Sequence, residues 1–265
     1  MSANSRAVVA LKWKFSPSNF FGVAIERSNK DYSLAIENGQ VQAKIDFAIY
    51  NRNPQIRQKI QVDLDGRFLV MQFLTHRAYD LSKSTMTHLR PDGRVESFFE
   101  LETGRIKVTG GTLDFRTTDK YKNIIFDPKQ DQVDRRIKLL ELAAAHYVED
   151  AVLVSLLQSY DKAVRDPNNE FVYLFEIYES LCKKLGGKHK TLLALNISAK
   201  KWEDLRIICN HSAIRQGRHR GQACGVLRDA TKKELTEARS IVTSMIEAYL
   251  LYLDTITKTK QPLAS

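Results

Sequence analysis

The hydrophobic pattern of this 265-residue chain changes its period at Asp127-Pro128. Before this point, short apolar-polar runs are separated by glycine-containing turns, which is typical of β-strands. After it, apolar residues recur every three or four positions, which is typical of α-helices. Proline also pushes the preceding residue out of helical geometry. The sequence therefore predicts an α+β fold: an antiparallel β domain (barrel or sandwich) over 1–126, an all-α helical bundle over 128–258 and a tail over 259–265.

Turn signals in the first half predict a series of β-hairpins. Asn38-Gly39 and Asp65-Gly66 are dipeptides that favour two-residue hairpin turns. Pro91-Asp92-Gly93 predicts a third turn. The predicted strands span residues 8–15, 32–36, 41–47, 60–64, 68–74, 85–89, 95–101 and 105–115. Successive hairpins with short connections make an antiparallel sheet.

Helical periodicity in the second half predicts a bundle of about four to five helices. The first is expected to run unbroken over 133–163, because Asp166-Pro167 is a strong stop signal. The second helix is predicted to begin after Asn168-Asn169 and to end at Gly186-Gly187, because glycine after the last apolar position favours a helix C-terminus. Three later helices are predicted: one over 188–195, one that begins after Ser198 and one that begins at the capping box of Thr231 and Glu234.

The positive charge of the chain is concentrated in one segment. The formal net charge is +10, and residues 181–228 contain eleven Lys or Arg against two acids, which gives +9. A basic patch on a helical scaffold favours a polyanionic partner, most simply RNA or another phosphate-bearing polymer. The alternative is a solvated surface that keeps the protein soluble.

Several functional classes are not indicated by the sequence. The N-terminus has no signal-peptide core, and no window is apolar enough to span a membrane. The three cysteines are odd in number and widely spaced, and neither CxxC nor HExxH occurs. We therefore expect a cytoplasmic protein without a membrane segment, a metal site or a cofactor.

The segment Arg215-Gln-Gly-Arg-His-Arg-Gly221 combines cations with glycines. Glycine lets backbone amides approach a ligand closely, and neighbouring arginines repel one another unless an anion or nearby carboxylates compensate. Arg215, Arg218 and Arg220 are therefore candidate phosphate- or nucleic-acid-binding residues, and His219 is a candidate for proton transfer. The alternatives are a solvated loop or arginines that pair with acids of the β domain. Aromatic residues are sparse here, so phosphate contact is expected rather than base stacking.

The pattern Arg206-Ile-Ile-Cys-Asn-His211 resembles the R-x₄₋₆-H motif of HEPN domains. Its position, on a late helix of a bundle that follows a β-rich domain, also resembles some bacterial antiphage and toxin proteins. The resemblance implies a metal-independent endoribonuclease that acts as a homodimer. In that family the residue after the motif arginine is usually polar, whereas Ile207 stands here. Asn210, which precedes the histidine, is a candidate for a comparable hydrogen bond.

Arg206 and His211 have the chemistry that metal-free RNA cleavage needs. Arginine is a forked, permanent cation suited to phosphate, and histidine transfers protons near neutral pH. Five residues apart on an ideal helix, they lie about 140° apart around the axis. Either the helix ends between them or a second protomer completes the site. The alternatives are an ion pair of Arg206 with Glu203 and a contact of His211 with the last helical carbonyls.

Three functions follow from these candidates. The leading one is an endoribonuclease in which Arg206 and Arg218 bind phosphate, His211 or His219 transfers protons, and the β domain senses a trigger or partner. The second is a non-catalytic module that binds nucleic acid or a nucleotide phosphate. The third is a protein-interaction module whose basic loop pairs with an acidic partner.

Overall fold

The computed structural model describes residues 7–89, 95–98, 117–118, 124–126 and 128–260. The strands in this part of the chain are β1 (Val8–Ser16), β2 (Ile25–Ser28), β3 (Tyr32–Glu37), β4 (Gln40–Asp46), β5 (Asp80–Leu81), β6 (Thr85–Leu89), β7 (Val95–Phe98), β8 (Thr117–Thr118) and β9 (Ile124–Phe126). The helices are α1 (Phe47–Arg52), α2 (Ile56–Thr75), α3 (Pro128–His146), α4 (Ala151–Arg165), α5 (Glu170–Leu185), α6 (Lys188–Leu195), α7 (Ala199–Asn210) and α8 (Lys232–Lys260). An antiparallel sheet followed by a helical region confirms the predicted α+β class.

The main sheet has the strand order β2-β3-β4-β1-β6-β7, and β5 pairs with the end of β1. All of these pairs are antiparallel. The predicted turn between β3 and β4 is confirmed, because Asn38 and Gly39 have φ angles of 48° and 77°, as a type I′ turn requires. Strands β8 and β9 form a separate pair. The predicted strand over 105–115 lies outside the described residues.

One predicted hairpin is wrong. Residues 60–74, expected as two strands around Asp65-Gly66, lie within the twenty-residue helix α2. Its buried residues Ile56, Ile60, Leu64, Phe68 and Met71 recur at helical spacing. Gly66 makes no turn: a Cβ there would lie 3.1 Å from Cβ and Cγ of Tyr147. The glycine thus permits α2 to pack closely against the turn that follows α3, a requirement that no local pattern reveals.

The predicted single helix over 133–163 is also wrong, because the chain leaves helical geometry between α3 and α4. Asp150 begins α4 there as its N-cap, and its side chain accepts a hydrogen bond of 2.7 Å from the Leu153 amide. Lys184 and the Tyr249 hydroxyl also contact this carboxylate. These contacts from α5 and α8 stabilise the break, and burial combined with Asp150 raises the pKa of Tyr249.

The other helices agree with the predictions. Gly186 adopts a left-handed conformation after α5, and α6 spans Lys188–Leu195 as expected. Ser198 is the N-cap residue of α7, although its side chain makes no capping hydrogen bond. At the start of α8, Glu234 accepts from the Thr231 amide and Thr231 Oγ1 accepts from the Glu234 amide, which confirms the capping box. Helix α8 continues to Lys260, beyond the predicted start of the tail at 259.

The chain divides into two compact units. Unit 1 comprises the described residues of Met1–Val62 and Tyr79–Asp134, and unit 2 those of Asp63–Ala78 and Arg135–Ser265. Most of α2, which the sequence analysis assigned to the β domain, therefore belongs to the helical unit. None of the described helices is both long and apolar enough to cross a membrane.

Candidate nucleic-acid interface

The candidate residues lie in unit 2, on α7 and on the loop over residues 211–231 that connects α7 with α8, here called the basic loop. Its base is closed by a parallel bridge between Ile214 and Arg228. The Arg215 amide donates to the Arg228 carbonyl at 2.8 Å, and the Arg228 amide donates to the Ala213 carbonyl at 2.9 Å. The loop is therefore anchored at both ends.

Gly217 brings the two halves of the candidate site together. The chain folds back on the end of α7, where the Arg218 amide donates to the Cys209 carbonyl at 2.9 Å. A Cβ at Gly217 would lie 2.9 Å from the carbonyl oxygens of both His211 and Ile214, so any side chain would disturb this turn. The backbone of Gly217 is consequently held beside His211, and that of Arg218 beside Cys209.

Each of the four arginines in the basic loop is engaged within unit 2. Arg215 Nε lies 3.1 Å from Asp229, and Arg218 lies 2.7 Å from Glu179 and over the ring of Phe175. Arg220 donates to the carbonyls of Asn168 and Arg215 and to the side chain of Asn169. Arg228 forms a two-pronged pair with Glu234, which lowers the pKa of that glutamate to about 2.

These contacts show how the repulsion among the loop arginines is compensated. Carboxylates and carbonyls neutralise it, in line with the alternative that the arginines pair with acidic residues. However, the partners belong to unit 2 itself rather than to the β domain. Arg220 holds the loop against the junction of α4 and α5, and both of its terminal nitrogens are occupied. The structure thus gives Arg220 an anchoring role.

Arg206 makes the ion pair that the sequence analysis named as the alternative to phosphate binding. Its Nε and Nη2 donate to Glu203 Oε1 at 2.9 and 2.6 Å. These hydrogen bonds raise the pKa of Arg206 and lower that of Glu203. The neighbouring Ile207 is 53% exposed, so it does not contribute to the core.

The two candidate histidines differ in their contacts. His211 lies just beyond α7, and its Nδ1 accepts a hydrogen bond of 3.2 Å from the Ala213 amide. A neutral ring in this geometry carries its proton on Nε2 and presents an N–H to solvent. The half-buried side chain of His219 makes no hydrogen bond or ion pair within the described residues. Asn210, the last residue of α7, has its side-chain Oδ1 buried without a hydrogen-bond partner among the described residues.

Unit 2 keeps a positive excess after pairing. The eleven cations of residues 181–228 contact six different carboxylates, which leaves a formal charge of +5. Lys183, Lys190 and Lys201 have no carboxylate within 4 Å in the described part of the chain. The charge pattern predicted from the sequence is thus reduced by folding but not neutralised.

A buried polar cluster in unit 2 was not predicted. Glu170 is 1% exposed and accepts hydrogen bonds of 2.6 and 2.8 Å from Arg239. His76 Nε2 lies 3.8 Å from Glu170, and His76 Nδ1 lies 3.2 Å from the Tyr160 hydroxyl. Burial and Arg239 lower the pKa of His76, although Glu170 opposes them, and burial raises the pKa of Tyr160 to about 12. These residues come from distant segments, so no local signal could have grouped them.

Across the described residues, no group of three or more His, Cys, Asp or Glu side chains is arranged to hold a metal ion. Comparisons with protein-family models, with curated proteins and with solved structures found no match to this chain. The HEPN-like assignment therefore stays a prediction that rests on Arg206, His211 and their place in the fold.

Proposed function

We propose that unit 2 binds RNA through the basic loop and the adjoining face of α7. The supporting observation is the formal charge of +5 that remains after eleven cations have met six carboxylates. A positive field of this kind attracts a phosphate backbone and accelerates its association.

Arg206, Arg215 and Arg218 are the proposed phosphate contacts. The Arg215–Asp229 pair shows why pairing does not prevent this: its side chains are 54% and 71% exposed. Exposed ion pairs contribute little to stability, because water screens both charges. An arriving phosphate can therefore replace the carboxylate and accept forked hydrogen bonds from the guanidinium.

The test is the binding of a fluorescein-labelled single-stranded RNA, followed by anisotropy over a range of KCl concentrations. Arg206→Gln/Arg215→Gln should weaken binding and reduce the slope of log K against log salt by about 1.4, since each phosphate contact on a single strand contributes about 0.7. The control Arg135→Gln/Lys258→Gln removes two paired cations from outside the basic segment. An equal loss in both variants would contradict a local binding site.

Metal-independent RNA cleavage is a second candidate, favoured by the geometry of His211 and by the HEPN resemblance. With Nδ1 occupied by the Ala213 amide, His211 offers its Nε2–H to a phosphoryl oxygen as charge develops there. His219 then takes the 2′-hydroxyl proton. The O2′–P bond forms, the P–O5′ bond breaks, and O5′ takes a proton from water. The products are a 2′,3′-cyclic phosphate and a 5′-hydroxyl.

Cleavage is tested by incubating the protein with labelled RNA in EDTA. His219→Ala should abolish the cyclic-phosphate product and leave RNA affinity unchanged, whereas His211→Ala should slow cleavage. His189→Ala is the matched control, because His189 is exposed on α6. Cleavage that survives in the double His211→Ala/His219→Ala variant would exclude these histidines. Salt-sensitive binding without cleavage would favour the non-catalytic module.

The resemblance also implies a homodimer that acts on cytoplasmic RNA in antiphage defence or a toxin system, with a trigger or partner at the β domain. A dimer through α7 would cover the exposed Ile207 beside Arg206. Light scattering after size-exclusion chromatography would measure the mass, and Ile207→Glu should convert the proposed dimer to a monomer. A monomeric wild-type protein would exclude this arrangement.

A further inference from the structure

The main sheet of unit 1 has one polar face with an unpaired cluster of lysines. Alternate residues of a strand point to opposite faces, and Leu11, Trp13, Val41, Ala43 and Ile45 are buried on one side. The opposite side carries the residues that we call the open sheet face: Lys12, Lys14, Ser33, Gln40, Gln42 and Lys44. The register pairs Lys12 with Gln42, Lys14 with Gln40 and Lys44 with Ser33.

Lys12 is a close neighbour of the other two lysines of this face. Lys12 and Lys14 are two positions apart on β1, which is about 7 Å along a strand. Lys44 lies diagonally from Lys12 across the β1–β4 pair, a separation of roughly 7–8 Å. All three side chains are exposed, and none has a carboxylate within 4 Å among the residues that the structure describes.

The acidic residues of the same surface lie at its margins, and they include Asp80, which pairs with Ser16 two positions beyond Lys14 on β1. Glu37 pairs with Gln40, so it is one strand farther from Lys14. Asp46 is engaged at the start of α1, where it accepts a hydrogen bond of 2.8 Å from the Ala48 amide. Glu26 lies on the edge strand β2. The three lysines therefore make no ion pair with these acids in the described residues.

This face is also concave. A depression of about 390 Å³ is lined by Ser33, Gln42 and Lys44 together with Glu26, Arg27 and Ser28 of β2. A second depression, of about 480 Å³, shares Ser33 and Lys44 with the first, and its other charged lining residues are Lys30, Arg52, Asp31 and Asp46. Lys44 thus lies between two shallow grooves lined largely by hydroxyl, amide and charged groups.

We propose that the open sheet face binds the phosphate backbone of RNA. Lysine ammonium, serine hydroxyl and glutamine amide groups are typical donors to phosphate oxygens. Tyr32 is the one aromatic residue among those that line the two depressions, so phosphate contact is expected to outweigh base stacking and binding should depend little on sequence. The face shares no residue with the basic loop, so this inference goes beyond the function proposed for unit 2.

The experiment uses the full-length protein and a fluorescein-labelled oligouridine, with anisotropy measured over a range of KCl concentrations. Lys12→Gln/Lys14→Gln/Lys44→Gln should weaken binding at least tenfold and reduce the salt slope by about 2, at about 0.7 for each lost contact. The control Lys138→Gln/Lys162→Gln/Lys258→Gln removes three exposed charges from unit 2, outside the basic segment, and should change affinity less than twofold.

Three results would overturn the proposal: no loss in the first variant, an equal loss in the control, or equally strong competition by polyglutamate, which would indicate an acidic protein partner. Circular dichroism melting checks that the variants fold, and Lys44→Gln alone provides a milder test with an expected slope change of about 0.7. Combining the triple variant with Arg206→Gln/Arg215→Gln separates the two surfaces. If only one set of substitutions weakens binding, only that surface contacts RNA.

Discussion

The basic loop of unit 2 and the open sheet face of unit 1 use their cations differently. Each of the four loop arginines contacts a carboxylate, a carbonyl or an amide oxygen of the same unit. The three lysines of the sheet face have no carboxylate within 4 Å in the described residues. The loop has the denser charge along the sequence, yet the lysines of the sheet face make fewer contacts in the folded structure. Charge density along a sequence is therefore a poor measure of how available the charges are.

The difference follows from backbone hydrogen bonding. In a sheet the strands satisfy one another's amides and carbonyls, so the outward side chains are not needed to hold the chain. The basic loop has little regular structure, and side chains that bridge separate segments, such as Arg220, hold it together with a few backbone hydrogen bonds. Arginine suits this purpose because its rigid fork has five donors. Lysine is a flexible point charge that does not fix a loop in the same way.

The largest expected effect is on the free energy of unfolding, and it concerns the ion pair of Arg239 with the buried Glu170. Glu170→Gln removes the charge that faces Arg239 in an environment where Glu170 is 1% exposed. Breaking a buried pair costs about 3–5 kcal/mol, and the lower value is expected because Arg239 is 31% exposed. Urea unfolding would measure it. Glu179→Gln, which breaks an exposed pair, should cost no more than about 0.5 kcal/mol. Equal losses of unfolding free energy in the two variants would show that burial does not determine how much these ion pairs stabilise the protein.

The next effect tests whether the loop depends on its close backbone approach. Gly217→Ala places a Cβ 2.9 Å from two carbonyl oxygens and should cost about 1–3 kcal/mol, the usual penalty of overpacking. Gly221→Ala is the control, because nothing lies within 4 Å of its Cβ position. Thermal unfolding of both variants makes the comparison. A harmless Gly217→Ala substitution would mean that the loop is looser than its hydrogen bonds indicate.

A smaller effect is expected from pH, through a histidine of unit 2 outside the basic loop. Burial lowers the pKa of His76 in the folded state below 6.5, so the unfolded chain takes up this proton first as the pH falls. The stability contributed by the neutral ring is complete above about pH 6.5 and is lost as the pH falls toward the folded-state pKa. Urea midpoints at pH 7.5 and 5.5 would show this loss.

His76→Asn is the matched variant for the pH experiment. Asparagine tolerates the left-handed conformation of residue 76, whose φ is 49°. This variant should lose part of the pH dependence, whereas His219→Gln, which keeps His76, should follow the wild-type profile. Identical pH profiles of stability for the wild type, His76→Asn and His219→Gln would exclude His76 as the source of the pH dependence.

The smallest expected effect comes from removing the carboxylate partner of a loop arginine, so that this arginine is unpaired like the lysines of the sheet face. Glu179→Gln removes the carboxylate that pairs with Arg218, while Phe175 still supports the guanidinium. If Arg218 contacts phosphate, RNA affinity should rise by a factor of a few and the salt slope should increase by at most about 0.7. Anisotropy titration would detect this change. Unchanged binding would remove Arg218 from the proposed interface.

Features that depend on a few consecutive residues could be predicted from the sequence. The turn at Asn38-Gly39, the glycine after α5 and the capping box of α8 each depend on local φ angles or on hydrogen bonds within three residues. The change of hydrophobic period also identified the fold class, because strands and helices repeat differently. The same reasoning failed at Asp65-Gly66, where the turn signal competed with an apolar period of about four.

The sequence by itself determined the two structural classes, their order and the concentration of cations before α8. Only the tertiary structure decided which of those cations remain available. Arg218 meets Glu179 from 39 residues away, and Arg239 meets Glu170 from 69 residues away. Patterns of local spacing extend over about four residues, whereas these pairs form only after helices and loops have packed. For that reason the candidate residues were visible in the sequence, but their partners were not.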